Sequence, residues 1–519
     1  MKFHRLKKIY GDFQTPTLLA DHICTILTAL NITPKYVIEP TCGMGSILLA
    51  AIHSWKEIEQ AYGLEINFSH LETLKKDPKY IKNTQKISLF QDDFFHFDLS
   101  DLTQNMEVKS ENELLIIGNP PWVTNSELGA LNSENLPSKR NFNGDRGIEA
   151  ITGKSNFDIS EFIILDIIRK LTAIPFSLAM LCKTSVARKI LMRCWKDGIP
   201  LKQQRIFMID ATKHFAASVD ACLFFCQNDT FSTENTCRIY DDLDFDKYNR
   251  TIGYENNRLI SDIQRYEKYG FIDGVSDYIW RNGFKHDASK VMEFREEDGQ
   301  LYNGFNQIVE IEPDLIYPLL KSSDIANGKT IESSKFVLVT QHYVGEDTKY
   351  IKYKFPKTWN YLELHEAVLN NRKSSIYKNK AKYAVFSVGE YAFSNYKIAI
   401  SSLYKKLNFR LIGSFNEKPF ILDDTCNYIA CNSLQEAEFV LHLLSSGIVT
   451  EYLNSIIFWD NKRVITTEIL NSIDLAKVAN KLFLSSEYYN FTCNNKFSNH
   501  SLENSFPFYQ NCIPATGRK

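Results

Sequence analysis

The chain has 519 residues, 44% of them hydrophobic and 24% charged, with a net charge of −2 and a sequence pI near 6.6. This is the composition of an ordinary globular protein too long for one hydrophobic core, so two domains are expected, and the near-neutral charge argues against a protein that coats nucleic acid regardless of sequence. No apolar run approaches the roughly twenty residues of a membrane span, Met1-Lys2-Phe3-His4-Arg5-Leu6 lacks the apolar core of a secretion signal, and eleven cysteines without paired C-x-x-C spacing read as reduced thiols of a cytoplasmic protein with no metal site.

In chain order, Tyr36-Val37-Ile38-Glu39 reads as a short buried strand, Pro40-Thr41-Cys42-Gly43-Met44-Gly45-Ser46 as a glycine turn, and Ile47–Ile52 as an apolar helix. Glycines let a backbone approach a ligand closely, and in open α/β sheets such a turn lies at the carboxyl end of a strand, where ligands bind. The spacing is neither G-x-G-x-x-G nor G-x-x-x-x-G-K, so the turn alone does not specify a nucleotide. The next strand, Ala61–Asn67, carries Glu65 about twenty residues beyond the turn, the spacing at which a carboxylate grips a ribose diol. A third apolar stretch, Ile87–Gln91, runs into Asp92-Asp93-Phe94, which offers a carboxylate to an adenine amine beside an aromatic edge. Each acid taken singly reads as a solvated loop charge. Three successive strands that each end in a group a nucleoside needs are hard to assign to chance.

The apolar run Leu114-Leu115-Ile116-Ile117-Gly118 leads directly into Asn119-Pro120-Pro121-Trp122. An exocyclic amine on a purine is a poor nucleophile because its lone pair is delocalised into the ring. If the Asn119 side-chain oxygen and the Pro120 carbonyl each accept one of its N–H groups, the nitrogen becomes tetrahedral and can attack a methyl group. The prolines stiffen the turn and donate nothing, and Trp122 offers a stacking face. The polar stretch Thr124–Lys154 follows, with Lys139, Arg140, Arg146 and Lys154; so long a loop beside the turn reads as a DNA-contacting or substrate-closing segment.

A helix through Leu171, strands at Pro175–Leu181 and Ile206–Ile209, and a final apolar strand within Phe215–Cys226 complete this half. The acidic, turn-rich stretch Tyr240–Lys247 places the domain boundary, giving domains of 1–245 and 246–519. Between Arg372 and Arg410 stand nine basic residues against the single acid Glu390, interleaved with tyrosines. The stretch is the best candidate for a phosphate-contacting surface, with Lys378, Lys380 and Lys382 as its candidate contacts.

Phe13-Gln14-Thr15-Pro16, Glu39 through Ser46, Glu65, Asp93-Phe94 and Asn119-Pro120-Pro121-Trp122 together resemble the successive motifs of S-adenosylmethionine-dependent DNA adenine-N6 methyltransferases. Their order, with a long C-terminal extension, resembles the gamma class of restriction–modification systems. The resemblance implies a Rossmann-like, doubly wound α/β sheet followed by a mixed α+β target-recognition domain. It also implies that Phe13 and Thr15 close over the methionine end of the cofactor and that Glu39, Cys42 and the Gly43–Gly45 turn line it. Glu65 then holds the ribose, and Asp93 and Phe94 flank the adenine ring. Phe215 packs on the second face of a flipped base opposite Trp122, which departs from the commoner Tyr or Phe but keeps the stacking surface. Double-stranded DNA is the implied substrate, and a separately encoded restriction endonuclease the implied companion. Trp280–Asp287, Lys321–Asp324, Lys418–Thr425 and Phe458–Arg463 resemble segments of target-recognising halves, with strand-and-turn scaffolding as the plainer reading. Two other functions stay open: a glutamine-amide methyltransferase acting on protein, since a planar amide nitrogen poses the same chemical problem, and a noncatalytic DNA-recognition subunit.

Overall fold

The computed structural model describes residues 13–123, 158–228, 234–243, 247–330, 332–461 and 463–493. The chain divides into two compact units, Met1–Ile263 and Gln264–Lys519.

The first unit is built on a ten-stranded sheet. Five strands, β1 (Tyr36–Glu39), β2 (Gln60–Glu65), β3 (Ile87–Gln91), β4 (Leu114–Gly118) and β5 (Ser177–Lys183), run parallel. They are followed by β6 (Leu201–Ile209), β7 (Ala221–Asn228), β8 (Thr236–Tyr240), β9 (Arg250–Glu255) and β10 (Arg258–Ile260). The spatial order is β3-β2-β1-β4-β5-β7-β6-β8-β9-β10, and β7 lies antiparallel to both its neighbours. After β1 the chain steps outward through β2 and β3, then returns to place β4 on the other side of β1. A crevice therefore opens at the carboxyl ends of β1 and β4, the topological switch point at which open α/β sheets bind ligands.

Helices cover both faces, so the inner strands are apolar without alternation: β4 and β7 are buried along their whole length. Helices α1 (Thr17–Ala29) and α2 (Ser46–Ser54) pack with Val37, Leu115, Ile117, Ala179 and Leu181, alternate residues that share one face. Helix α3 (Ile159–Lys170) packs against α4 (Thr184–Asp197), and α4 lies on β5, β6 and β7. Strands β8 to β10 lengthen this sheet, so the first unit runs to Ile263, past the boundary expected at 245. A turn-rich acidic sequence marks a loop, and here the chain returns from that loop to pair with the edge of the same sheet.

Glu39 ties the glycine turn to the helix behind it. Its side chain is 2% exposed, and Oε2 accepts the N–H of Leu48 at 2.9 Å, an amide in the first turn of α2 that has no partner within the helix. Burial raises the Glu39 carboxyl well above its ordinary value of 4.5, the Leu48 hydrogen bond opposes this, and the nearby charge of Glu65 adds to it.

The second unit contains a five-stranded sheet and a four-stranded sheet, the latter formed by Arg281–Asn282, Cys426–Cys431, Tyr396–Ser401 and Arg410–Ile412. Two of the segments singled out in the sequence meet here. Gly283 donates its N–H to the carbonyl of Cys426, and a Cβ at Gly283 would lie 1.9 Å from the Asp423 carbonyl oxygen, so only glycine fits. In the same sheet Lys397 is 1% exposed, and its amine donates to the carbonyls of Ser394 and Phe420. Burial without a carboxylate partner lowers its pKa to about 7.

Two pH dependences follow. The Glu39 carboxyl titrates higher folded than unfolded, so its contribution to stability is complete below pH 4.5 and is lost as pH rises toward the folded value. Glu39→Gln, which keeps an oxygen acceptor for Leu48, is expected to melt above the wild type at pH 7, with the difference closing below pH 4.5; thermal unfolding at both pH values measures this. For Lys397 the unfolded chain binds the extra proton between pH 7 and 10.5, so stability rises with pH across that window and is flat below it. Relative to Lys397→Met, the wild type should gain up to about 1.4 kcal/mol per pH unit there, read from urea unfolding; parallel pH profiles of the two proteins would contradict it.

Candidate active site

The carboxyl ends of four consecutive strands form one cavity of about 250 Å³, just below the ~300–1,000 Å³ typical of small-molecule sites. Pro40 and Thr41 contribute from the end of β1, Glu65 and Ile66 from β2, Asp93 and Phe94 from β3, and Pro121 and Val123 from β4; Ile159 and Ile163 of α3 close one side.

At the turn after β1, Gly43 and Gly45 have φ of +53° and +77°, a region that disfavours side chains. A Cβ would also displace a neighbouring side chain, lying 2.6 Å from Gln14 Oε1 at Gly43 and 2.5 Å from Leu74 Cδ1 at Gly45. The N–H of Gly43 donates to Glu65 Oε2 at 2.8 Å, and that of Asn67 donates to Oε1 at 2.7 Å. Each carboxylate oxygen thus accepts one backbone amide and keeps acceptor capacity in the cavity wall. On β3's side, Asp93 Oδ1 accepts the N–H of Phe95 at 3.0 Å, and Phe94 is buried.

The structure therefore gathers Glu65, Asp93 and Phe94 on one cavity, but not every expected cofactor residue. Glu39 and Cys42 lie buried beneath the turn, and the Cys42 sulfur sits 3.1 Å from where a side chain of Gly63 would begin. Thr41, which sequence reasoning did not single out, has a buried hydroxyl with no hydrogen-bond partner among the described residues. Its signal was positional, as the second residue past a buried parallel strand.

The turn after β4 has one face on this cavity, through Pro121, and the other on an aromatic cluster. Asn119 Nδ2 donates to the carbonyl of Phe13 at 2.7 Å and to Thr15 Oγ1 at 3.2 Å. A carbonyl only accepts, so this contact fixes which end of the amide is nitrogen. Asn119 Oδ1 faces away, buried and without a partner among the described residues. Phe13 and Thr15, expected over the cofactor, are thus brought to Asn119.

Trp122 is 4% exposed and donates its indole N–H to the carbonyl of Leu181 at 3.3 Å. Its ring lies 5.0 Å from that of Phe215 at 70°, and the Phe13 ring lies 5.6 Å from Trp122 and 6.1 Å from Phe215. The expected pair is brought together, but edge to face. A purine stacked between two rings needs them roughly 7 Å apart and parallel, twice the ~3.5 Å carbon contact, so admitting one requires the cluster to open.

The basic residues fare differently. Lys139 and Arg140, with the rest of the Thr124–Lys154 stretch, lie outside the described residues. Lys378, Lys380 and Lys382 are exposed, although Lys382 pairs with Glu366 at 2.8 Å. The surrounding stretch is not one solvent-facing stripe. Lys397 is interior, and Arg372 lies 3.7 Å over the Tyr377 ring and donates to the carbonyls of Leu369, His286 and Ala384. Tyr383 is core. Counting charge along a sequence cannot separate cations that face water from those that sew strands together.

No protein-family model matches the chain. A curated relative, the type II methyltransferase M.NspV of a Nostoc species, is 43% identical over 476 residues, covering 92% of this chain and 98% of its own. Among solved structures, the type IIL restriction–modification enzyme MmeI, determined in complex with DNA, aligns over 90% of this chain and 66% of its own with a TM-score of 0.53 at 12% identity, a likeness of fold. The strand order with its antiparallel β7 is that of a Rossmann-like methyltransferase, and identity at this level over nearly the full length of both sequences places the chain among the type II methyltransferases of restriction–modification systems.

Proposed function

We propose that the chain is a site-specific DNA adenine methyltransferase that transfers a methyl group from S-adenosylmethionine to the N6 amine of an adenine rotated out of the duplex, protecting that site from a cognate restriction endonuclease. The observation that carries the reading is the unpartnered Asn119 Oδ1, held in place by an amide nitrogen whose hydrogen bonds are already made. A buried acceptor left unmatched costs about 1–3 kcal/mol. A substrate N–H relieves that cost on binding.

The residues around the cavity fit a nucleoside-bearing methyl donor. The spare acceptor capacity of Glu65 suits ribose hydroxyls, Asp93 and Phe94 suit an adenine edge and face, and the unspent hydroxyl of Thr41 supplies one more polar contact. When bound, S-adenosylmethionine supplies a methyl group on a positively charged sulfur that a nucleophilic nitrogen can displace. The chain's own part is to hold the amine. In this reading Asn119 Oδ1 accepts one N–H and the Pro120 carbonyl the other, which localises the nitrogen lone pair; the extra proton leaves once the nitrogen–carbon bond has formed. Trp122 and Phe215 repay by stacking part of the few kcal/mol spent on extruding the base.

In this reading, the exposed Lys378 and Lys380 of the second unit contact phosphates, and that unit reads the target. Asn119→Ala is expected to lower methyl transfer about 10²–10³-fold while cofactor affinity is kept. Mass spectrometry of nucleosides from DNA incubated with each protein measures it. N4-methylcytosine in place of N6-methyladenine, or label only in a protein glutamine, would overturn the assignment. Glu65→Ala should weaken S-adenosylmethionine binding by about 1.5–3 kcal/mol, the range for hydrogen bonds to a charged group; calorimetry showing unchanged affinity would remove Glu65 from the cofactor site.

A further inference from the structure

The amide of Asn119 has two orientations of nearly equal shape and opposite polarity. With oxygen toward the substrate, the site accepts an N–H. With nitrogen there, two donors face an amine whose hydrogens they cannot use. The Phe13 carbonyl, an obligate acceptor, selects between them, and the Thr15 hydroxyl on the same segment, 104 to 106 residues earlier, anchors the other N–H. Flipping the amide would set its oxygen against the Phe13 carbonyl oxygen and forfeit that hydrogen bond, whereas the Thr15 hydroxyl, which can donate as well as accept, would hold the amide in either sense.

The segment is itself held from its other side. In an extended chain alternate residues point opposite ways, and Gln14, between the two, turns to the glycine turn after β1. Its Oε1 accepts the N–H of Met44 at 3.1 Å and lies where any side chain on Gly43 would have to go. Pro16, with φ of −60° and ψ of 140°, then leads into α1. Three consecutive residues thus bridge the glycine turn and the catalytic turn.

We infer that Thr15 is a positioning residue for methyl transfer: the Phe13 carbonyl fixes the polarity of the Asn119 amide, and the Thr15 hydroxyl anchors its second N–H, so that the amide is held with Oδ1 toward the substrate amine. The inference rests on the reading of Asn119 given above. It assigns Thr15 to the acceptor side of the reaction, whereas a residue closing over the methionine end of the cofactor would act on cofactor affinity.

The test compares wild type, Thr15→Val and Thr15→Ser as full-length proteins on unmodified high-molecular-weight genomic DNA, with methyl incorporation followed under saturating and limiting S-adenosylmethionine and cofactor affinity measured by calorimetry. Valine keeps the shape and deletes the acceptor. Loss of one neutral hydrogen bond corresponds to roughly 2–12-fold, so kcat should fall about tenfold, with the cofactor KM and Kd within twofold of wild type. Serine, which restores the hydroxyl, should recover most of kcat; a merely structural role would show in the melting temperature without this split. A Thr15→Val enzyme with normal kcat and weakened cofactor binding, or one indistinguishable from wild type, overturns the inference while leaving the proposed activity intact. If the valine variant does not fold, the serine variant decides, since near-wild-type kcat is expected of it and a tenfold loss at normal cofactor affinity would contradict the role of the hydroxyl. A wild-type protein that methylates no DNA overturns the proposed function itself, and with it the inference.

Discussion

A strand buried on both faces can display its chemistry only at its ends. Strand β4 lies between β1 and β5 with helices above and below, and every one of its residues is interior. Its hydrogen-bonding groups are consumed by the sheet as far as Gly118, where the register with Met180 ends. The next residue is therefore the first whose side chain can do anything but pack. Asn119 occupies that point, followed by two prolines that donate no N–H and hold the chain stiff. The cavity on one side and the aromatic cluster on the other are consequences of where this strand stops, since Pro121 lines the first and Trp122 joins the second.

The polar groups around this point divide by how their desolvation is met. Glu39 and Glu65 lie near one turn, the charge of Glu65 adds to the rise at Glu39, and burying both as anions would be expensive. Glu39 is the deeper of the two; its carboxyl is pushed toward the neutral form and serves α2 through Leu48. Glu65 keeps two backbone amides on its oxygens and an open side toward the cavity. Asn119 is the third case, an amide satisfied at nitrogen and unmatched at oxygen. An unmatched buried acceptor is costly; Asn228 and Asn427 carry one too, but Asn119 alone of the three stands at the carboxyl end of β4 beside the cavity-lining Pro121.

The second unit uses cations differently from the way its sequence reads. Arg372 and Lys397 spend their hydrogen bonds on backbone carbonyls inside the fold, Lys382 is paired, and Lys373, Lys378, Lys380, Lys405 and Lys406 remain exposed. A dense run of basic residues with interleaved tyrosines is thus part scaffold and part surface. The close approach of Gly283 to Asp423 shows the same for two segments that resembled target-recognising sequence: their glycine is explained by backbone packing alone.

Strands β1 to β4 were legible from short apolar runs, most plainly β4, which is buried along its whole length and has no alternation to disguise it, and the groups at their ends followed from sequence position. Glu65, Asp93, Phe94 and the turn at Asn119 stand at or just past those ends. What could not be read were partners supplied by the backbone or by distant segments. The Phe13 carbonyl has no side-chain signature, and nothing local to Asn119 announces a partner 106 residues away. The burial of Lys397, the unspent hydroxyl of Thr41 and the return of β8 to β10 to the first sheet are of the same kind. Local sequence determined which groups stand at the strand ends; only the tertiary structure decided which of their hydrogen bonds are already taken, because that depends on what the rest of the chain brings within 3 Å.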